Sequence, residues 1–254
     1  MLRDSELTIA LVFPTLLGTY GDGGNAVVLE RRLQWRGIPV RLEVVDIGDK
    51  VPQSCDVYLL GGAEDGAGRT AAGLLTGQYG LRRAVEAGRP LLAVCAGMQL
   101  VGHHVDAVDG GYAGLGLLDA TTAPRDTRAI GEVIATPLDD WTTQALTGFE
   151  NHRGGTVLGP DAHPLASVQR GVGNGAGLPV EGARQGRVLA TYLHGPVLAR
   201  NPALADLLLG WAVGAELDPL PVQGVEQLRA ERLGTPAVTP HRRRRLRARG
   251  FDRL

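Results

Sequence analysis

Apolar positions along the chain come in short blocks whose spacing changes from one block to the next. Thr8–Phe13 is a largely apolar run ended by Pro14, the pattern of a buried strand. A glycine-rich stretch from Gly18 to Asn25 follows it. From Ala26 to Trp35 the apolar residues Ala26, Leu29 and Leu33 are separated by polar ones, which predicts a helix stopped at Gly37. Val40–Val45 and Val57–Leu60 predict two more strands, the second running into Gly61-Gly62. Ala71–Ala87 predicts one helix closed by Gly88. Leu91–Val94 predicts a strand that meets Cys95, and Gly97–His104 predicts a helix directly after it.

Strands alternating with helices imply a mostly parallel central sheet flanked by helices, an α/β fold. After Gly110 the texture changes. The short β-like runs Arg128–Thr136, Thr156–Leu158 and Val188–Leu193 lie among Gly, Asn and Asp turns, and predict antiparallel additions at the sheet edge. Ala203–Val213 predicts a last helix.

Composition narrows the picture. Hydrophobic residues make up 44% of the 254 residues but aromatics only 4%, so the core must be built from Leu, Val and Ala. The two cysteines make no disulfide framework, and no apolar run reaches the ~18 residues of a membrane span. The first residues, Met1 to Glu6, are too polar for a secretory signal. These features predict a cytoplasmic protein with reduced thiols.

Charge adds two facts. Lys+Arg number 26 and Asp+Glu 27, but Lys50 is the single lysine. It lies in no G-x-x-x-x-G-K-[ST] frame, which excludes a conventional P-loop on this chain. The balance also hides a split: residues 234–254 hold seven arginines and one acid. The chain therefore reads as a body, 1–233, and a basic tail, 234–254. The tail reads as a solvated, disordered segment, with contact to the anionic inner face of a membrane as the sharper alternative.

The stretch Leu91–Leu100 carries the chemistry. A buried strand runs into a cysteine flanked by small residues, and a helix begins at once. That is the geometry that exposes a nucleophile at the carboxyl edge of a sheet. A helix N-terminus at the sulfur predicts a lowered thiol pKa and a reactive thiolate. A buried structural cysteine is the competing reading of Cys95 taken alone. Cys55 has no such elbow and reads as structural. In a parallel sheet the Gly61-Gly62 turn ends beside Cys95, so the N–H groups of Gly62 and Ala96 are candidates for an oxyanion hole. An ordinary Gly-Gly turn is the alternative. Among six histidines, His194 ends a strand-like run before Gly195-Pro196 and is the candidate base, with His152 second.

Together Gly61-Gly62, Cys95-Ala96-Gly97-Met98-Gln99 and His194 resemble a class I glutamine amidotransferase, whose pattern is a G-G loop, C-x-G-x-Q and a late histidine. The Tyr20-Gly21-Asp22 with Gly24-Asn25 motif narrows this to the cobyric acid synthase-like branch. So do Arg128–Glu132, Gly148–His152 and Tyr192–Pro196. Within that branch they resemble the glutaminase subunits of lipid II isoglutaminyl synthases.

The resemblance implies a flavodoxin-like sheet, Cys95 as nucleophile and His194 as general acid–base. It implies an oxyanion hole from Gly62 and Ala96, and Arg128 on the glutamine α-carboxylate, with Gln99, Asn151 and His152 shaping the pocket. It implies no metal or cofactor on this chain. ATP and Mg are expected on a MurT-like Mur ligase subunit, in a heterodimer that amidates the D-glutamate of lipid II. Many class I members carry a carboxylate two residues after the histidine. Here that residue is Pro196, so the site is expected to work as a dyad or to take a carboxylate from elsewhere, the partner subunit being the source the resemblance suggests. A glutaminase for cobyric acid synthase-type amidation and a non-catalytic binding module are the alternatives.

Overall fold

The computed structural model describes residues 6–107, 110–222 and 224–234. The chain opens with β1 (Leu7–Val12), α1 (Gly24–Trp35), β2 (Val40–Val45) and β3 (Val57–Leu60). It continues through α2 (Asp65–Thr76), α3 (Gly80–Glu86), β4 (Leu91–Val94) and α4 (Ala96–Val101). Two short strands, β5 (His104–Val105) and β6 (Tyr112–Ala113), lead to the long pair β7 (Ala120–Pro137) and β8 (Leu146–Leu158). Then come β9 (Ala166–Arg170), β10 (Val180–Glu181), β11 (Ala183–Gln185) and β12 (Val188–Thr191). The last elements are α5 (Val197–Arg200), α6 (Pro202–Val213) and α7 (Val225–Gly234).

The central sheet has the order β11-β12-β4-β3-β1-β2. Its strands pair in parallel except β11, which pairs antiparallel with β12. β3, β4 and β12 are buried at every residue, as continuous apolar strands covered on both faces must be. The helical coat is locked by charge as well as by packing: Arg32 of α1, nearly fully buried, pairs with both carboxylate oxygens of Asp206 of α6 at 2.8 and 2.5 Å, and Arg36 adds a third bond to the same carboxylate at 3.0 Å.

The predicted helix Ala71–Ala87 is two helices. The break at Gly77–Tyr79 frees Gln78 from the helical ladder. Its side chain then accepts the Val51 N–H at 2.8 Å and donates to Asp49 O at 3.2 Å, tying off the loop before β3.

The predicted antiparallel edge additions are mostly a sheet of their own. Only β11 extends the central sheet. The run expected at 188–193 is instead β12, an interior strand parallel to β4, and the others form a second sheet, β10-β9-β7-β5-β6, with β8 on the free side of β7. The expected short runs 128–136 and 156–158 are parts of this much longer hairpin, which a sequence window broken by Gly and Pro conceals. Register slips between Pro124 and Ala129, so Arg125–Arg128 bulge out of the ladder.

α7 is held at the base of this hairpin by Arg229, which donates to Ala145 O at 2.7 Å. It runs through Gly234, one residue past the predicted end of the body. The rest of the basic tail lies outside the described residues. Among the described residues, no helix is long and apolar enough to cross a membrane.

Candidate active site

Parallel strands end on one edge, and the chemistry-bearing residues follow those ends. Cys95 follows β4, Gly61-Gly62 follow β3, and His194 lies three residues past β12. Asp22 lies on the loop between β1 and α1. These strands are neighbours in the sheet, so four distant parts of the sequence meet. Gly62 marks the centre: a β-carbon there would lie 2.8 Å from His194 Cε1, 3.0 Å from Asp22 Oδ2 and 3.3 Å from Cys95 Cβ. No side chain fits between the three.

Cys95 has φ 54° and ψ −108°, an unfavourable conformation for a residue with a side chain. Such strain costs on the order of 1–3 kcal/mol and is held in place by the surroundings. Here Cys95 N–H donates to Thr191 O of β12 at 2.8 Å, while Cys95 O accepts the first helical bond, from Gln99 N–H, at 3.1 Å. The elbow predicted from sequence is present, but its electrostatics differ from expectation. Burial, with the Asp22 charge second, pushes the Cys95 thiol up to about 12; the Ala96 N–H at the sulfur and Arg128 pull the other way and lose. A six-residue helix does not offset the desolvation of a thiolate. The resting group is a thiol and needs a base.

His194 supplies the geometry for one. It is 1% exposed, and its Nδ1 lies 3.0 Å from both carboxylate oxygens of Asp22, whose side chain is fully buried. The carboxylate only accepts, so Nδ1–H donates to it. His194 Nε2 is buried and has no hydrogen-bond partner among the described residues. The same Asp22 Oδ2 accepts the Gly62 N–H at 2.8 Å, so this expected oxyanion donor is engaged within the chain.

Asp22 is the residue that sequence reasoning passed over. It belongs to the Tyr20–Asn25 motif quoted for the resemblance, yet nothing in its local pattern sets it apart from a polar loop residue. Where many class I members carry a carboxylate two residues after the histidine this chain has Pro196, and the carboxylate that meets His194 within the chain comes from 172 residues upstream. Pro196, in the usual place, packs against Gly24 at the start of α1.

Arg128 and Asn151 form the rim. Arg128 Nε donates to Asn151 Oδ1 at 2.6 Å, and Asn151 Nδ2 donates to the Tyr20 hydroxyl at 2.6 Å. The Tyr20 ring lies 4.9 Å from the His194 ring, and its hydroxyl reaches Glu64 at 3.5 Å. Arg128 is 41% exposed, a guanidinium at the mouth rather than in the wall.

His152 does not join this rim. It lies within β8, where neighbouring side chains alternate between faces, and points into the core. Its ring stacks on Tyr192 at 3.7 Å, and Nδ1 donates to Gly154 O at 2.8 Å. Gln99 is one helical turn past Cys95 and donates to the Tyr192 hydroxyl at 3.2 Å. It also lines a cavity of about 480 Å³ with Arg69, Tyr112, Arg125 and Arg153. Among the described residues, no group of three or more His, Cys, Asp or Glu side chains could hold a metal ion.

A cysteine on a strand-to-helix elbow, with a carboxylate-bound histidine at the next strand end of a parallel sheet, defines a thiol acyl-transfer site. Residues 8–202 match the CobB/CobQ-like glutamine amidotransferase domain. The GatD subunit of lipid II isoglutaminyl synthase (glutamine-hydrolyzing) from Staphylococcus aureus is 31% identical, over 90% of this chain and 94% of that one. The GatD subunit from Streptococcus pneumoniae is 32% identical, over 82% and 81%. Among solved structures, a glutamine amidotransferase from Thermotoga maritima superposes with a TM-score of 0.55 at 14% identity, covering 91% of this chain and 94% of that one, which shows a shared fold. The chain belongs to the CobB/CobQ-like glutamine amidotransferase family.

Proposed function

We propose that this chain is the glutamine-hydrolysing subunit of a two-subunit amidotransferase, and that its ammonia serves the amidation of lipid II. The observation that carries the hydrolytic half is the buried His194 Nε2, without a partner among the described residues, at the strand end next to the Cys95 elbow. A thiol of raised pKa and an imidazole nitrogen with no partner among the described residues, at neighbouring strand ends, are the groups that a proton transfer at the moment of attack would use.

In the first half-reaction the Cys95 proton passes to His194 Nε2 as Sγ bonds to the side-chain carbonyl carbon of glutamine. The oxyanion is held by the Ala96 N–H, joined by Gly62 N–H as the new oxygen replaces Asp22 as its acceptor. Collapse breaks the C–N bond. The proton on Nε2 goes to the leaving nitrogen, and ammonia departs from a glutamyl thioester. Water then attacks the thioester, giving its proton to Nε2, and Sγ leaves as the thiol by taking that proton back. Arg128 binds the α-carboxylate of glutamine through its planar fork.

The acceptor half is supported by the two GatD relatives, whose names make them subunits of a lipid II isoglutaminyl synthase. Activation of a carboxyl group needs a nucleotide, and the single lysine of this chain lies in no phosphate-binding frame. ATP and Mg are assigned to a Mur-ligase-like partner. The test measures ammonia release from glutamine by the purified chain and by Cys95→Ala, then glutamine-dependent amidation of lipid II with a co-expressed ligase. Full ammonia release by Cys95→Ala would sink the nucleophile assignment. Ammonia release without lipid II amidation in the complex would sink the acceptor assignment alone.

A further inference from the structure

The bulge in β7 sends its two arginines to different places. Arg128 stands at the mouth of the active site, while Arg125 lines the cavity of about 480 Å³ that Gln99 also lines. The described walls of that cavity do not include Cys95, Gly62 or His194.

Arg125 is seated rather than draped. A β-carbon on Gly155 would lie 3.1 Å from its Cγ, and one on Gly175 would lie 2.7 Å from its Cδ. Both strand and loop have given up side chains where the arginine stem passes. The guanidinium held this way has a buried nitrogen, Nη1, with no hydrogen-bond partner among the described residues, and no carboxylate pairs with Arg125 there. Arg153 lines the same cavity. It donates from Nε to Arg125 O at 3.0 Å and from Nη2 to Asp126 O at 3.5 Å, which pins the bulge with backbone acceptors and leaves its charge without an ion pair among the described residues. Arg69 adds a third positive charge to the wall. Two acids also line the cavity. Asp106 lies 3.1 Å from His104 Nε2, and the Asp126 carboxylate pairs with neither Arg125 nor Arg153.

A buried guanidinium nitrogen needs an acceptor, and the planar fork takes phosphate or carboxylate oxygens in paired, charge-assisted bonds. We propose that this cavity is a second anion site, beside the glutamine pocket and separate from it, that holds a small molecule by its phosphate or carboxylate group on Arg125 and Arg153. Its volume is that of a small-molecule pocket rather than of a bare ion. A β-carbon on Gly154 would lie 2.4 Å from Gln99 Nε2, so the cavity wall closes on α4, the helix that begins at the nucleophile.

Isothermal titration tests this on the full chain carrying Cys95→Ala, with inorganic phosphate and, separately, succinate, at an ionic strength held constant with chloride. At least one of the two is expected to bind saturably at one site, and which one binds names the head group. Adding Arg125→Gln is expected to weaken that binding about 10- to 100-fold, the loss of a charged hydrogen-bonded pair. Arg125→Lys keeps the stem and the charge and is expected to recover little of it, because an ammonium lacks the fork. Excess glutamine is expected to leave the anion in place. Binding no stronger than the chloride control, or undiminished binding in both Arg125 variants, overturns the proposal and leaves the buried nitrogen to water. Displacement by glutamine overturns it too, since the cavity would then be the substrate's own pocket. None of these readouts uses glutamine turnover, so they stand or fall apart from the glutaminase reading.

Discussion

Phe149 and His194 exchange a pair of backbone hydrogen bonds: His194 N–H donates to Phe149 O at 2.8 Å, and Phe149 N–H donates to His194 O at 3.1 Å. This single bridge joins the second sheet to the end of β12. It fixes the backbone of the base from one side while Asp22 fixes its ring from the other. The hairpin of β7 and β8 is thus part of the site's scaffold, although its residues lie far from the nucleophile in sequence.

The bridge depends on close approach at Gly148, where a β-carbon would lie 2.5 Å from Leu193 Cβ. Gly148→Ala is expected to lever β8 away from His194. Overpacking of this kind costs about 1–3 kcal/mol, and a displacement near 1 Å at a catalytic group costs about 100-fold in rate. Thermal melting and kcat for glutamine hydrolysis check the two effects. A normal kcat in this variant would show that the second sheet does not position the base.

Much of this site was legible in the sequence, for physical reasons that particular residues make plain. Cys95 was readable because a strand, a sharp turn and a helix leave a local signature in apolar run and small residues. His194 was readable because it ends a strand-like run before Gly195-Pro196. Asp22 was not, because its partners lie 40 and 172 residues away and its own neighbourhood is an unremarkable polar loop. The thiol's raised pKa was not readable either. Sequence shows that a helix follows Cys95 but not how completely the sulfur loses solvent. His152 shared a motif with Asn151, yet adjacent residues of a strand face opposite ways, so one reached the rim and the other the core.

Arg128 is tied to Asn151 at 2.6 Å and is positioned at the mouth, where a substrate carboxylate would meet its fork. Arg128→Ala is expected to raise KM for glutamine about 10- to 100-fold, the loss of one charged hydrogen-bonded pair, with a smaller effect on kcat. Arg128→Lys should recover little, since a point charge cannot make the paired contact. Steady-state kinetics on the three proteins check this. An unchanged KM in Arg128→Ala would place the α-carboxylate elsewhere.

The buried thiol also makes stability depend on alkaline pH. Folding raises Cys95 from an ordinary 9.0 to about 12, so above pH 9 the unfolded chain gives up a proton that the folded chain keeps. The unfolded state then binds fewer protons, and stability falls as pH rises through that window. Cys55, raised to about 11 by burial and the nearby Glu43, acts in the same direction. Between pH 8.5 and 10.5, Cys95→Ser is expected to lose about 2 kcal/mol less than the parent. Urea unfolding at the two pH values measures it, and equal losses would show that the sulfur is far better solvated than its 4% exposure implies.

Glu181 supplies the complementary test near neutral pH. Its carboxyl accepts the Thr191 hydroxyl and the Tyr192 N–H, the latter at 3.0 Å, directly ahead of His194. It is fully buried, Oε2 has no hydrogen-bond partner among the described residues, and no cation is paired with it in any salt bridge described there. Burial pushes this carboxyl up from 4.5 to about 7, with Glu150 adding to the rise against the bonds from Thr191 and Tyr192. A raised carboxyl favours the protonated folded state. Its stabilisation is complete below pH 4.5 and is lost as pH climbs through about 7. Glu181→Gln keeps the acceptor oxygen and cannot ionise. Between pH 5 and pH 8 the parent is expected to lose stability relative to this variant by on the order of 2–3 kcal/mol. Other titrating groups are common to both chains and cancel in the difference. Parallel stability curves across that range would mean that Glu181 enters the fold ionised and that water reaches Oε2.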